Sequence, residues 1–355
     1  MTVTSNKVVI GQFCIDGVQK AVKMKKRPLS TYERIIPFKS IPYWLFWMLV
    51  GVLAFVSSEI IIRAYNEKRL LPFLLLRSII SVAWAGFPIT LTWLSHRFYD
   101  AMRFASDVLW SDAAEFEEWL EGRHRRIFTF QSGASKLIAL LIGISVTVTY
   151  SIGGLPLENP LPKFFFVITG TFLSIMGGHT AYIIIDLLAT LVELVGRDVQ
   201  IPFFRLPHPA ITGLQNYYSV AALIMTAGYS SLVIAGWQSP YGLSNPAVIT
   251  WLSILAFFPL ALFILSSFQI HLLMSKVKES QLEMVNEQVQ SLFRKVSSKT
   301  GAKTYDQLEK AMAIQTKIQN LPEWPLSFAS IFGFLITAAT AIIQVVIPLL
   351  STIRP

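Results

Sequence analysis

Charge is scarce in this chain. Of its 355 residues only 14% are Asp, Glu, Lys or Arg, while 53% are hydrophobic and the mean hydropathy is +0.54. An average soluble domain carries roughly 25% charged residues, so a polytopic membrane protein is expected. Cysteine is nearly absent: Cys14 stands alone, which excludes an internal disulfide and a cysteine-based metal site. The five histidines (His96, His124, His179, His208 and His271) are dispersed, too few for a histidine-rich di-iron site. No nucleophile motif or phosphate loop occurs. No enzymatic activity, cofactor or metal is therefore expected. The chain lacks internal repeats, which gives no support to an inverted-repeat transporter. Residues 1–40 lack an apolar core and a cleavage site, so no signal peptide is expected. The net charge of +9 reads as orientation in a membrane rather than as a nucleic-acid footprint.

What is abundant is long apolar runs. Seven of them, at about 41–62, 71–94, 137–156, 164–188, 213–237, 248–273 and 326–350, match the roughly 20 residues that cross a bilayer. The expected fold class is all-α, with seven transmembrane helices. Placing residues 1–40, 96–136, 196–212 and 275–325 on the inner side puts 24 of the 30 Lys and Arg there. Such a bias fixes the amino terminus in the cytosol and the carboxyl terminus outside. The expected organisation is a basic cytosolic segment (1–40), a six-helix membrane region (41–273) with an inner loop at 96–136, a cytosolic helical hairpin (274–321), and an elbow with the last transmembrane helix (322–355). The basic first segment lies near anionic lipid, and a plasma or inner membrane suits the inner loops.

Several stretches are more than spans. Loop 96–136 has an aromatic-rich apolar side (Phe104, Leu109, Trp110, Phe116, Trp119, Leu120, Ile127) and carboxylates ahead of Arg123, Arg125 and Arg126. This pattern predicts a helix on the inner membrane surface or on the protein's own cytosolic part. His124, between arginines, is expected as a solvated residue. The fourth run continues as a helix to about Val195 and carries His179, Asp186 and Glu193 at seven-residue steps, with Tyr182 and Thr190 nearby. That stripe reads either as polar contacts in a helix bundle or as an ion path or proton relay. The sixth run continues into Leu282, Val285, Val289, Leu292 and Val296, spaced like a coiled-coil seam. A polar turn near Gly301 then returns the chain as an amphipathic helix with Tyr305, Leu308, Met312, Gln315, Ile318 and Leu321 on one face. Near the opposite end of the spans, Arg77 must snorkel or find a carboxylate. Glu59 is the obvious partner, with Arg63 competing, and the pair reads as a structural clamp or as part of a ligand pocket.

Pro322, Trp324 and Pro325 break the returning helix into a rigid elbow, with the indole at headgroup level. In the following run Ser330, Gly333, Thr337, Ala341 and Gln344 fall on one helix face. The face reads as a small-residue packing surface or as a pore wall. As a pore wall it lacks a ring of carboxylates, so poor discrimination among monovalent cations is expected.

Seven helices in this orientation, with helices four and six extended into a cytosolic bundle and a last helix split in two, resemble the insect gustatory and odorant receptor superfamily. That resemblance implies ligand-gated, cation-conducting tetramers whose final membrane helix lines the pore, hence a homo-oligomer and a small-molecule ligand. The gustatory branch carries Thr-Tyr, five apolar residues, then Gln-Phe in its last helix. Thr337 and Gln344 keep that spacing, Ala338 and Val345 replace the two aromatics, and Thr340 interrupts the apolar run. The elbow is similar to that of uncharacterised prokaryotic membrane proteins. A membrane-anchored scaffold, working through its cytosolic hairpin, is the alternative.

Overall fold

The computed structural model describes residues 28–37, 40–65, 74–109, 112–152, 159–197, 209–237, 246–298 and 302–320, with three single positions, Leu335, Ile336 and Ala339. The described residues are helical, with no strand among them. The helices run α1 (Thr31–Arg34), α2 (Tyr43–Ala64), α3 (Leu74–Leu109), α4 (Ala113–Phe128), α5 (Gly133–Ile152), α6 (Pro160–Gly196), α7 (Pro209–Trp237), α8 (Pro246–Ser298) and α9 (Ala302–Gln319). Local chemistry marks where they start. Proline opens α6, α7 and α8, where its missing N–H costs nothing. Asp112 caps α4 through the Ala114 amide at 2.8 Å, and Ser30 and Glu33 close a capping box on α1.

Among the described residues five stretches are long and apolar enough to cross a membrane: Tyr43–Ala64, Ser78–Met102, Ala114–Ser145, Pro160–Gly196 and Phe257–Ser297. The chain is thus an all-helical membrane protein. The seventh apolar run, 326–350, lies outside the described residues except for its three single positions.

Three helices exceed a bilayer. The 37 residues of α6 reach about 55 Å and the 53 of α8 about 80 Å. The third, α3, continues to Leu109 and takes in the start of what the sequence assigns to a loop. Both α3 and α8 run on through an internal proline, Pro88 and Pro259. Nothing breaks α8 between Pro259 and Ser298, so the boundary expected near residue 274 falls inside one uninterrupted helix.

The core gathers at one end of the bundle. Leu94, Phe98 and Met102 of α3 meet Leu187, Leu191 and Leu194 of α6, Tyr217 and Tyr218 of α7, Ile270, Leu273 and Val277 of α8, and Phe116 and Leu120 of α4. By contrast α2 and α5 leave Met48, Val52, Leu53, Leu137, Leu141 and Ile144 exposed, as lipid-facing helices do. The α8–α9 hairpin packs through Val285, Leu308, Ala311 and Ile318, with Gln315 donating to Asn286 at 2.8 Å. Tyr305 and Met312 differ from expectation: both are half exposed. Ala311, with its small side chain, takes the contact position and rotates the buried face away from them.

The α5–α6 seam is the tightest. A Cβ on Gly178 would sit 2.7 Å from the Ala139 Cα and 3.1 Å from its carbonyl oxygen, whereas one on Gly177 would meet nothing within 4 Å. Gly178→Ala should therefore destabilise the protein by about 1–3 kcal/mol through overpacking. Gly177→Ala should be neutral or stabilising by about 0.5–1 kcal/mol through helix propensity. Thermal midpoints in detergent compare the two, and equal midpoints would show that the seam yields.

Candidate functional site

An unpaired carboxylate inside a helix bundle costs several kcal/mol, and α6 carries Asp186 at 3% exposure. Its cation comes from α4: Arg126 Nε lies 3.1 Å from Asp186 Oδ1. Two turns further along α6, Glu193 is bound by Arg123 of α4 and by the Trp119 indole N–H at 2.6 Å. Arg197, at 3.6 Å, closes the cluster. Two members of the stripe, Asp186 and Glu193, thus meet α4. Periodicity explains the fit, since Trp119, Arg123 and Arg126 recur at helical spacing on α4 as their partners do on α6. Of the two expected positions for this helix, the structure places α4 on the protein itself.

His179 has a different partner. Its Nδ1 lies 3.1 Å from the Tyr32 hydroxyl of α1, and the Phe130 ring stands edge-on to the imidazole at 5.0 Å. Burial pushes the Tyr32 phenol well above its ordinary range, so Tyr32 keeps its proton. The imidazole tautomer sets which of the hydroxyl and Nδ1 is the donor.

The segment around α1 is a strap across this end of the bundle. Ser30 Oγ lies 3.4 Å from Thr92 Oγ1 and Glu33 Oε1 2.9 Å from His96 Nε2. Thr31 Oγ1 accepts from the Phe130 amide at 2.7 Å, and Tyr32 packs edge-on against Trp47 of α2. Further ties come from side chains to helix carbonyls. Tyr217 donates to Leu94 O at 3.2 Å and Tyr218 to Leu187 O at 3.0 Å. Lys276 of α8 donates to Val195 O and Arg197 O at the end of α6, where a cation suits the helix dipole.

His124 corrects an expectation. It is fully buried, not solvated, and its Nε2 lies 2.6 Å from Ser95 Oγ. The flanking arginines mislead because α4 turns Arg125 outward while His124 faces α3 beside Tyr99 and Phe128. Serine and histidine at that distance have the geometry of a nucleophile and its base. Both are 0% exposed, so no substrate reaches them and the pair is structural. Among the described residues no group of three His, Cys, Asp or Glu is placed to hold a metal.

The remaining expected positions divide. Glu59 lies 3.5 Å from Arg63, one turn on; the Arg77 side chain lies outside the described residues. So do Ser330, Gly333, Thr337, Ala341 and Gln344, and the elbow residues Pro322, Trp324 and Pro325. The strap was missed by sequence reasoning, although Ser30-Thr-Tyr-Glu33 carries the capping-box signature.

Among the buried polar atoms of the described residues that have no hydrogen-bond partner, three lie at this end of the α5–α6 seam: His179 Nε2, Asp186 Oδ2 and Ser135 Oγ. Each such atom left dry costs about 1–3 kcal/mol. The Asp186 pair should dominate the site's stability. Arg126→Ala, which strands a buried carboxylate, should cost about 2 kcal/mol or more even though the guanidinium is half exposed. Arg125→Ala breaks only the exposed pair with Glu121 and should cost about 0.5 kcal/mol. Adding Asp186→Asn to Arg126→Ala should recover part of the loss. Chemical or thermal unfolding of the variants checks the ranking, and an equal effect of the two arginine variants would remove Asp186 from this role.

No family model, no curated protein and no solved structure matches the chain.

Proposed function

We propose that the protein is the subunit of an oligomeric, poorly selective cation channel. In this reading seven helices span the membrane, the amino terminus is cytosolic, and the last apolar run lines a shared pore, in a tetramer by preference. The observation that carries the reading is the exposure of Leu335, Ile336 and Ala339, which are helical and exposed. On a helical wheel Leu335 and Ala339 lie opposite Ser330, Gly333, Thr337, Ala341 and Gln344, and Ile336 lies at the side. A greasy face left open suits lipid, which leaves the threonine–glutamine face for an axis shared by several copies. The long α6, α8 and α9 supply a rigid cytosolic body on which copies can assemble, and Gln344 would form the narrowest ring. A small-molecule ligand would gate the pore. No catalytic step belongs to this reading.

A scaffold acting through the hairpin is the second reading. It is favoured by the open face of α9, where Tyr305 and Met312 stand half exposed. Deleting 276–320 separates the two, since a scaffold loses partner binding and a channel loses assembly or gating.

The direct test is the symmetry of the purified particle together with conductance of the reconstituted protein. A fourfold particle with the last helix at its axis, and a cation current that Gln344→Arg reduces at least tenfold, are expected. A monomeric particle, or a current indifferent to Gln344→Arg, would end the channel reading.

A further inference from the structure

Three polar side chains at one end of the α5–α6 seam each keep one atom without a partner while being almost wholly buried. His179 is 1% exposed, Asp186 3% and Ser135 0%, and the open atoms are Nε2, Oδ2 and Oγ. They belong to one neighbourhood. His179, Tyr182 and Asp186 follow at helical spacing on α6. The Tyr182 hydroxyl reaches Ser132 Oγ at 3.3 Å, and Ser132 accepts from the Ser135 amide in the first turn of α5. Arg126, which holds the other Asp186 oxygen, also meets Tyr182. From His179 to Asp186 is about 10 Å along the helix axis.

The chemistry of the three open atoms is complementary. His179 Nε2 donates in one imidazole tautomer and accepts in the other. Asp186 Oδ2 is an acceptor, and the Ser135 hydroxyl is either. Charge then selects the occupant. Arg126 faces Asp186 directly and Arg123 lies one turn away on the same helix, and the first turn of α5 points its positive dipole end here, so a metal cation is repelled. An anion is repelled by the open carboxylate oxygen. A small neutral molecule that donates and accepts is left, which is water.

We infer that the α5–α6 seam holds an internal water site, a short chain of two or three molecules linking His179 Nε2, Ser135 Oγ and Asp186 Oδ2 past the Tyr182 hydroxyl. The chain is closed along the seam by Gly178 against Ala139, where no room for even a methyl group remains. Tyr32 and Phe130 wall it off on the side of the strap. Its link to solvent is the half-exposed Arg126. The site is therefore a blind pocket, hydrated from one end of the molecule, and not a path through it. It stands independently of whether the protein conducts ions.

Radiolytic footprinting with a rapid change to ¹⁸O water tests this on the full-length protein in lipid nanodiscs. Bound water beside a buried side chain labels it, whereas a dry side chain stays unlabelled. Labelling of Tyr182 and His179, normalised for intrinsic reactivity, should exceed that of the buried Met102 by at least fivefold. Ser135→Ala, which removes one anchor and adds no bulk, should lower it at least twofold. Ser135→Val, which fills the space, should bring it to the Met102 level. Labelling equal to that of Met102 in the unmodified protein would overturn the inference. So would an experimental map of the folded protein in which side chains alone fill the space between the three atoms. Should the valine variant fail to fold, the alanine variant and the map decide.

Discussion

A carboxylate on a buried helix face has to be answered by a cation, and here one helix supplies the demand of another. Asp186 and Glu193 stand on α6 at a spacing that α4 matches with Arg126 and Arg123. This constraint ties α4 to α6 in one register, because a slip of one residue would strand a charge in the core. With α4 fixed, Phe116, Leu120 and Ile127 are delivered to the apolar cluster shared by α3, α6, α7 and α8. The strap at α1 then closes over His179, and Lys276 seals the end of α6 from the side of α8. Polar pairing sets the geometry, and the hydrophobic cluster beneath it supplies the bulk of the binding.

Much of this was legible in the residues. The apolar runs announced the helices, and the overruns of α6 and α8 followed from periodicity that continues past the length of a span. The apolar period that runs on past the sixth span and resumes after residue 302 marked the hairpin. The grouping of Asp186 and Glu193 on one face was visible too, since seven residues are close to two turns.

Their partners were not visible. Nothing local says that Arg126 meets Asp186, sixty residues on, or that Tyr32 meets His179 across most of the bundle. Such pairs depend on how helices cross, and crossing is settled by the whole core. His124 shows the hazard of reading neighbours. Flanked by arginines it suggested water, yet adjacent residues on a helix point about 100° apart, so the arginines describe a different side. The α9 face erred in the opposite sense. Tyr305 and Met312 fit the apolar period, but small Ala311 allowed a closer approach that turned them outward. The extension of α3 escaped notice because His96, Arg97 and Asp100 end the apolar run while the helix continues to Leu109.

The unbroken α8 has a mechanical meaning. It is a single helix of about 80 Å, tied near its middle where Lys276 donates to the Val195 and Arg197 carbonyls at the end of α6. About 33 Å of it lies on the hairpin side of Lys276 and about 45 Å on the other. The same helix is anchored in the core by Ile270, Leu273 and Val277, so a load on the hairpin passes into the apolar cluster with no joint between Pro259 and Ser298 to absorb it.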